Sequence, residues 1–167
     1  WFREIALMDS SLTKMKRGLR SFAYYVPTGL VRSVLESGQE ATLAGETREM
    51  TVYFSDIAGF TTAAEGLHPE ELVRYLSEYL DEMTKIIGTT NGTIDKFIGD
   101  AIMAFWGAPL PVTDHAVRAC ETALRSQRRL AELRAATQRP WLANLHARIG
   151  IATGEMLVGN IGTCERF

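Results

Sequence analysis

Two aspartates that follow apolar runs are the residues in this sequence best suited to chemistry. Asp56 follows residues 52–54, a run typical of a buried strand, and Asp100 lies in a hairpin signal between the strand-like runs 93–98 and 101–106. Carboxylates at the ends of neighbouring strands are ligands that hard cations such as Mg²⁺ share with substrate phosphates. Asp56 taken alone could also cap a helix, but the second carboxylate favours a site for two divalent cations.

The residues after Asp56 predict a place for phosphate beside the carboxylates. Ala58, Gly59, Phe60 and Thr61 are expected to open a helix, whose first amides can face an anion. Gly59 allows the backbone to approach a ligand closely. Phe60 is expected to line the site, to pack in the core, or both. Thr61 is expected to contact phosphate or to cap the helix.

Two basic residues interrupt apolar runs and are the next candidates for a ligand contact. Lys96 breaks the run 93–98, where it either points to solvent or reaches into a site. Arg148 breaks the run 145–152, and burying its charge without a partner would be costly. We therefore expect Arg148 to pair with an acidic neighbour or with phosphate.

Helical periodicity indicates three helices around these residues. Residues 1 to about 24 predict an amphipathic helix with a basic stretch, and residues 69–88 predict a second helix that begins at a proline and two glutamates. A third is expected after Thr113–Asp114, either of which could cap it, and ends before Pro140. Its predicted stripe comprises Val117, Cys120, Leu124, Gln127 or Arg128, Leu130 and Leu133, and Cys120 is expected to be a buried reduced thiol.

The remaining strand signals complete an alternating pattern. Runs 145–152 and 156–161 flank Gly154–Glu155, which predicts a second hairpin. The order strand, helix, hairpin, helix, hairpin predicts an α/β (α+β) fold with a mixed sheet covered on one side by helices. The ferredoxin-like βαββαβ plan fits this order.

The composition excludes several classes of protein. The length of 167 residues fits about one domain, and 46% hydrophobic with 23% charged residues is ordinary for a soluble globular chain. A net charge of -2 argues against a nucleic-acid binder, because such proteins usually carry a basic surface. A polymerase-like enzyme is disfavoured for the same reason, since its template would need a basic track. No apolar run reaches the roughly 18 residues of a membrane-spanning helix. We therefore expect a cytoplasmic protein that does not bind nucleic acid.

Three motifs occur in order along the chain. They are Phe54-Ser55-Asp56-Ile57-x-Gly59-Phe60-Thr61, then Lys96-Phe97-Ile98-Gly99-Asp100, then His146-x-Arg148-Ile149-Gly150-Ile151-x-x-Gly154-Glu155. In this order and at this spacing they resemble the catalytic domain of class III nucleotidyl cyclases, the adenylyl and guanylyl cyclases. The resemblance runs from about Glu46 to the last residue. The ferredoxin-like plan agrees with it, because class III cyclases are built on such a core.

The resemblance implies a reaction and a set of ligands. Asp56 and Asp100 would bind two Mg²⁺ or Mn²⁺ ions, and the backbone carbonyl of Ile57 would join one of them. The ribose 3′-oxygen would attack the α-phosphorus of a nucleoside triphosphate and expel pyrophosphate, with the two ions activating the hydroxyl and neutralising the leaving group. Arg148 would contact the triphosphate.

The resemblance also implies a substrate. The position of Lys96 reads the purine in the family, and a lysine can donate to N1 of adenine, whereas guanylyl cyclases generally carry a glutamate there. Lys96 therefore favours ATP. We expect an adenylate cyclase that makes 3′,5′-cyclic AMP in signal transduction. The alternatives are a guanylate cyclase and a catalytically silent cyclase-like module that binds nucleotide or dimerises; both metal aspartates disfavour the silent module. A diguanylate cyclase would need a Gly-Gly-(Asp/Glu)-Glu-Phe motif, which the sequence lacks.

The family builds its active site between two catalytic domains, so the resemblance implies a homodimer with sites at the interface. This chain is interpreted as a fragment: residues 1–45 are expected to be a helical signal-transmitting or juxtamembrane segment and linker, and residues 46–167 the catalytic domain. An upstream regulatory or membrane domain is expected, so the catalytic domain could be tethered to the inner face of a membrane. The family's ribose-binding asparagine and transition-state arginine would follow residue 167, so the fragment alone is expected to be impaired or inactive.

Overall fold

The computed structural model describes residues 2–22, 45–137 and 139–159. The chain forms two units, Trp1–Ala41 and Thr42–Phe167. In the first unit, helix α1 spans Phe2–Phe22, which confirms the predicted amphipathic helix. Residues 23–44, which include most of the expected linker, lie outside the described residues. None of the described helices combines the length and the apolar character needed to cross a membrane.

The second unit contains four strands and four helices among its described residues. In chain order they are β1 (Gly45–Ile57), α2 (Phe60–Glu65), α3 (Pro69–Thr89), β2 (Thr93–Ile98), β3 (Ala101–Trp106), α4 (His115–Ala136), α5 (Pro140–Ala143) and β4 (Ala147–Gly159). The β2–β3 hairpin has the bounds that the sequence predicts, and α3 begins at the predicted proline.

The sheet has the order β2-β3-β1-β4, which is the ferredoxin-like arrangement expected from the sequence. All pairings of the described strands are antiparallel, so the expectation of a mixed sheet is wrong in this detail. The reason is that β1 and β2 run in the same direction but do not touch. The connection through α3 leaves a gap between them, and β3 fills that gap in the opposite direction.

The predicted hairpin at Gly154–Glu155 is also wrong. β4 continues through these residues as one strand of 13 residues, and Gly154 pairs with Met50 of β1. Since β1 has the same length, it offers a pairing partner to every residue of β4, and these backbone bonds outweigh a local turn signal. For the same reason Gly45, expected to lie at the end of the linker, forms the start of β1.

One face of the sheet packs against α3 and α4 and forms the core. Side chains alternate along β1, so that Tyr53 and Ile57 are buried against the helices. Trp106 on β3 contacts the edge of the Tyr53 ring at 6.0 Å between centroids, and its indole N–H donates to the carbonyl of Thr90 over 3.0 Å. Burial of one such large side chain contributes about 1.5–3 kcal/mol. No described helix of the second unit covers the opposite face, which we call the open face.

Helix α4 turns a different side toward the sheet than the apolar stripe predicts. Its buried residues are Ala119, Thr122, Ser126 and Leu130, spaced by three and four. Three members of the predicted stripe are exposed: Val117, Cys120 and Leu124. The expectation that Cys120 is a buried thiol is therefore wrong. Small side chains on the buried side allow the helix to approach β1 and β3 closely, and this contact decides its rotation.

Candidate active site

The candidate site lies where β1 ends on the open face. Asp56, the penultimate residue of β1, is paired in register with Arg148 of β4. On the other side of Asp56, the neighbouring residue is Ala101 of β3, because Ser55 pairs with Ile102 and the two strands are antiparallel. Because cross-strand neighbours point to the same face, the side chains of Asp56 and Arg148 emerge together.

Asp56 and Arg148 form a bidentate ion pair. Nε of Arg148 donates to Oδ1 of Asp56 over 2.9 Å, and Nη2 donates to Oδ2 over 2.7 Å. The hydrogen bond to Asp56 and the charge of Asp56 raise the pKa of Arg148, and Asp100 adds a smaller effect of the same sign. The Arg148 side chain is 72% exposed, so the premise that it would be buried is wrong. Of the two partners expected for Arg148, the structure contains the acidic neighbour.

Asp100 is held at the same edge of the sheet by the backbone of β1. The amide of Ile57 donates to Oδ2 of Asp100 over 2.8 Å. Gly99 allows the hairpin to turn at this point, because its φ of 63° is in the left-handed region that glycine adopts readily. Oδ1 of Asp100 accepts no hydrogen bond from the described residues and remains available. The hairpin therefore brings the second carboxylate to the end of the strand that carries the first.

The turn between β1 and α2 differs in one backbone amide from the phosphate-binding turn that the sequence predicts. The amide of Ala58 donates to the carbonyl of His146 over 2.8 Å, so it is already occupied and the expectation that it faces phosphate is wrong. Gly59 has a φ of 69° and is the residue before α2, and no atom would contact a side chain placed there. Phe60 packs against the core, one of its two expected positions, and Thr61 is exposed.

An open cleft of about 310 Å³ adjoins Asp56 on the open face. Its lining residues are Phe54, Ser55, Asp56, Ala101, Arg148, Ile149 and Gly150. Ala101 and Gly150 carry little or no side chain, which leaves space beside the carboxylate. Sequence reasoning missed Ala101 as a lining residue, because only the strand register brings it next to Asp56.

Lys96 lies on the open face but apart from the two aspartates. It pairs with Met103, which in turn pairs with Phe54, so Lys96 is two strands away from β1, roughly 9–10 Å. Its side chain is 60% exposed, and its ammonium nitrogen is 3.2 Å from the carboxylate of Asp95. Within one chain, the described structure does not bring Lys96 to Asp56 and Asp100.

The donor set at the two aspartates fits a hard divalent cation. Asp56 and Asp100 supply carboxylate oxygens at the same edge of the sheet. The backbone carbonyl of Ile57 directly follows Asp56, at the last residue of β1. The described residues contain no cluster of three or more His, Cys, Asp or Glu side chains that could hold a metal. A cation here would therefore complete its coordination with backbone oxygen, water and the substrate's own phosphates, as Mg²⁺ commonly does.

Comparison with known proteins identifies the family. The family model described as the adenylate and guanylate cyclase catalytic domain matches residues 43–166. The chain is 39% identical over 164 residues to adenylate cyclase 1 of Rhizobium meliloti (strain 1021), covering 98% of this chain and 25% of the relative. It is 34% identical over 165 residues to an adenylate cyclase of Anabaena cylindrica, covering 97% and 32%. The chain therefore spans a quarter to a third of the length of these curated relatives.

Solved structures agree with this family. A bacterial light-regulated adenylyl cyclase matches with a TM-score of 0.85 at 28% identity, covering 98% of this chain and 47% of that chain. The guanylyl cyclase Cya2 matches with a TM-score of 0.68 at 41% identity, covering 74% and 63%. The chain belongs to the class III adenylyl and guanylyl cyclase catalytic domain family, which confirms the resemblance that its three motifs indicate.

Proposed function

We propose that this chain is the catalytic domain of an adenylate cyclase that converts ATP into 3′,5′-cyclic AMP and pyrophosphate in signal transduction. The observation that carries the proposal is the meeting of Asp56 and Asp100 at one edge of the sheet, beside an open cleft. Membership of a cyclase family gives this arrangement its chemical meaning. Two Mg²⁺ or Mn²⁺ ions held there would lower the pKa of the attacking 3′-hydroxyl and neutralise the leaving pyrophosphate.

The chain's own residues bind and orient the substrate. Asp56 and Asp100 would hold the cations through their carboxylates, together with the carbonyl of Ile57. Arg148, already charged and beside Asp56, reaches the triphosphate and stabilises its negative charge. Gly59 and Thr61 lie where the chain turns into α2, from where they would contact the phosphates, whereas Phe60 supports this turn from the core.

Lys96 selects ATP in this proposal by donating a hydrogen bond to the adenine ring. The two curated relatives are adenylate cyclases, which supports this choice. A second candidate, guanylate cyclase, is favoured by the 41% identity to the guanylyl cyclase Cya2. The two candidates differ only in the purine, because the phosphate chemistry is the same.

We further infer that the chain acts as a homodimer, with Lys96 of one copy completing the site that contains Asp56 of the other. Lys96 and Asp56 lie on the same open face but two strands apart, so one copy does not join them. The same face exposes apolar side chains, with Phe54 46% and Ile98 55% exposed. A twofold axis that buries these faces against each other would form two equivalent sites.

Residues 1–45 are proposed to be a signal-transmitting or juxtamembrane segment that an upstream regulatory domain would drive. Exposed apolar residues of α1 are spaced by three, four and three: Ile5, Met8, Leu12 and Met15. This spacing is the heptad pattern of a two-stranded coiled coil, which would connect the two copies of a dimer. Residues 46–167 form the catalytic domain in this proposal.

The test is nucleotide conversion by the purified full-length protein that contains this domain, with Mn²⁺, and with ATP and GTP offered separately. Cyclic AMP from ATP, lost in Asp56→Ala and in Asp100→Ala but retained in the surface control Asp81→Ala, is the expected result. Cyclic GMP from GTP alone would favour the guanylate cyclase. Absence of both products and of Mn²⁺-dependent nucleotide binding would overturn the proposed function and favour a silent module.

A further inference from the structure

The alternation of side chains along β2 breaks between Ile94 and Lys96. Residues two apart in a regular strand point to the same face of a sheet. Ile94 pairs with Ala104 and packs against the core. Lys96 pairs with Met103, which in turn pairs with Phe54 on the open face. Ile94 and Lys96 therefore lie on opposite faces of the sheet although they are two residues apart.

One extra residue in β2, Asp95, causes this break. Ile94 and Lys96 oppose two consecutive residues of β3, so Asp95 has no opposite residue of its own. This arrangement is a β-bulge, in which two residues of one strand share a single partner on the other. If regular pairing continued from Ile94, Lys96 would oppose Ile102, which is fully buried on the helix-covered face. The bulge at Asp95 therefore brings Lys96 to the open face.

The bulge also places the side chains of Asp95 and Lys96 next to each other. Consecutive residues of a regular strand point to opposite faces, whereas here Nζ of Lys96 is 3.2 Å from Oδ2 of Asp95. The Asp95 side chain is 33% exposed, so it is the less mobile partner of the pair. An ammonium group has three hydrogens to donate, so a bond to Asp95 leaves two for a ligand.

A bulge in an edge strand can also serve the fold alone. β2 is at one edge of the described sheet, and bulges at such edges protect them from pairing with another chain. That role requires an extra residue, but it does not require a carboxylate beside a lysine. The ion pair between Asp95 and Lys96 is therefore the observation that points to a role in orienting the lysine.

We propose that Asp95 is a positioning residue for Lys96, which it turns to the open face through the bulge and holds there through its carboxylate. The inference rests on the proposed function, in which Lys96 donates to N1 of adenine. A lysine side chain is long and flexible, so fixing it in one direction costs conformational entropy. Because Asp95 already restricts the ammonium group, less of that cost remains when the nucleotide binds.

The test compares the ratio of kcat/KM for ATP to that for GTP in the full-length protein that contains this domain. We expect Asp95→Ala to lower this ratio about threefold, an effect within the range that exposed ion pairs supply. Guanine carries a hydrogen on N1 and cannot accept a bond there, so kcat/KM for GTP should change little. The matched control is Asp81→Ala on α3, which removes the partner of Lys85 in another exposed pair and should leave the ratio unchanged.

A double variant shows whether Asp95 acts through Lys96. Lys96→Ala should lower the ratio, and adding Asp95→Ala to it should cause no further change, because the side chain that Asp95 positions is gone. An equal fall in the ratio in both backgrounds would overturn the proposal. An unchanged or increased ratio in Asp95→Ala alone would also overturn it, and so would equal losses with ATP and GTP, which indicate a purely structural role.

These outcomes separate the inference from the proposed function. If Lys96→Ala lowers the ratio and Asp95→Ala does not, the role of Asp95 fails while the role of Lys96 stands. If the wild type makes no cyclic AMP, or if Lys96→Ala leaves the ratio unchanged, the role of Lys96 fails and that of Asp95 fails with it.

Discussion

At the scale of single residues, the ion pair between Asp56 and Arg148 decides the state of the site before a ligand binds. Both oxygens of Asp56 accept from the guanidinium, so a cation must compete with Arg148 for this carboxylate. The pair is largely exposed to solvent, so screening by water leaves the attraction between the two side chains weak. A cation would overcome such a weak competitor, and in the proposed mechanism Arg148 would then contact phosphate.

Removing the competitor should strengthen cation binding in the absence of nucleotide. We expect Arg148→Ala to lower the Kd for Mn²⁺ about two- to fivefold, which is the range that an exposed ion pair supplies. The same change should weaken binding of the triphosphate. Mn²⁺ titration followed by electron paramagnetic resonance, with and without ATP, measures both effects. Arg125→Ala, on the surface of α4, is the control; an unchanged Kd in Arg148→Ala would show that Arg148 does not compete.

The identity of residue 96 should control the choice of purine. A lysine only donates hydrogen bonds and a glutamate only accepts them, so Lys96→Glu reverses the polarity of the contact with the base. We expect the ratio of kcat/KM for ATP to that for GTP to fall about tenfold, the equivalent of one hydrogen bond. Initial rates with both nucleotides give this ratio. If the ratio stays the same, Lys96 has no part in reading the purine.

At the scale of elements, polar contacts complete the attachment of α3 to α4 above the sheet. Arg129 of α4 donates from Nε to Glu82 of α3 over 2.7 Å. The hydroxyls of Thr90 and Thr122, both buried, are 2.7 Å apart. These contacts hold together the two helices that support β1 and β3 from behind. Asp56 and Asp100 therefore depend on the packing of elements that do not themselves enter the site.

The Glu82–Arg129 pair makes a pH-dependent contribution to stability. The hydrogen bond from Arg129 lowers the pKa of Glu82 below its ordinary value of 4.5. The folded state thus binds this proton less readily than the unfolded state, so the contribution is fully present above about pH 4.5 and is lost as the pH falls through the lowered pKa.

Glu82→Gln should therefore cost a few tenths to about 1 kcal/mol of unfolding free energy at pH 7, and less at low pH. Urea unfolding of both proteins from pH 7 down to pH 3.5 or so tests this prediction. Glu132→Gln is a suitable control, because Glu132 contacts Arg129 from within the same helix and should matter less. A difference between wild type and Glu82→Gln that grows as the pH falls would contradict it.

At the scale of the whole molecule, the open face is the surface on which the proposed activity depends. It contains Asp56, Arg148 and Lys96, together with exposed apolar side chains, while the opposite face is covered by helices. In the proposed dimer, a site divided between two copies would explain why Lys96 lies apart from Asp56 and Asp100 within one chain.

Mixing two variants that are each impaired with ATP tests this division. In a dimer with shared sites, a copy carrying Asp56→Asn paired with a copy carrying Lys96→Glu has one site with both native residues and one with neither. Random pairing of equal amounts should restore about a quarter of the wild-type cyclic AMP production from ATP. Each variant alone should produce little. Mixtures no more active than the average of the separate variants would show that each site is built from one copy.

Much of this protein follows from its sequence, since local signals determine α1, α3 and the β2–β3 hairpin. Periodicity, a proline at the helix start and a glycine–aspartate turn act within a few residues, and they also identify Asp56 and Asp100. Three features needed the tertiary structure: the continuous course of β4, the rotation of α4, and the contact between Asp56 and Arg148 across 92 residues of chain. Each depends on a partner far away in the sequence. β1 offers β4 a full-length pairing edge, the sheet selects the small-residue side of α4, and strand register alone brings an arginine to an aspartate.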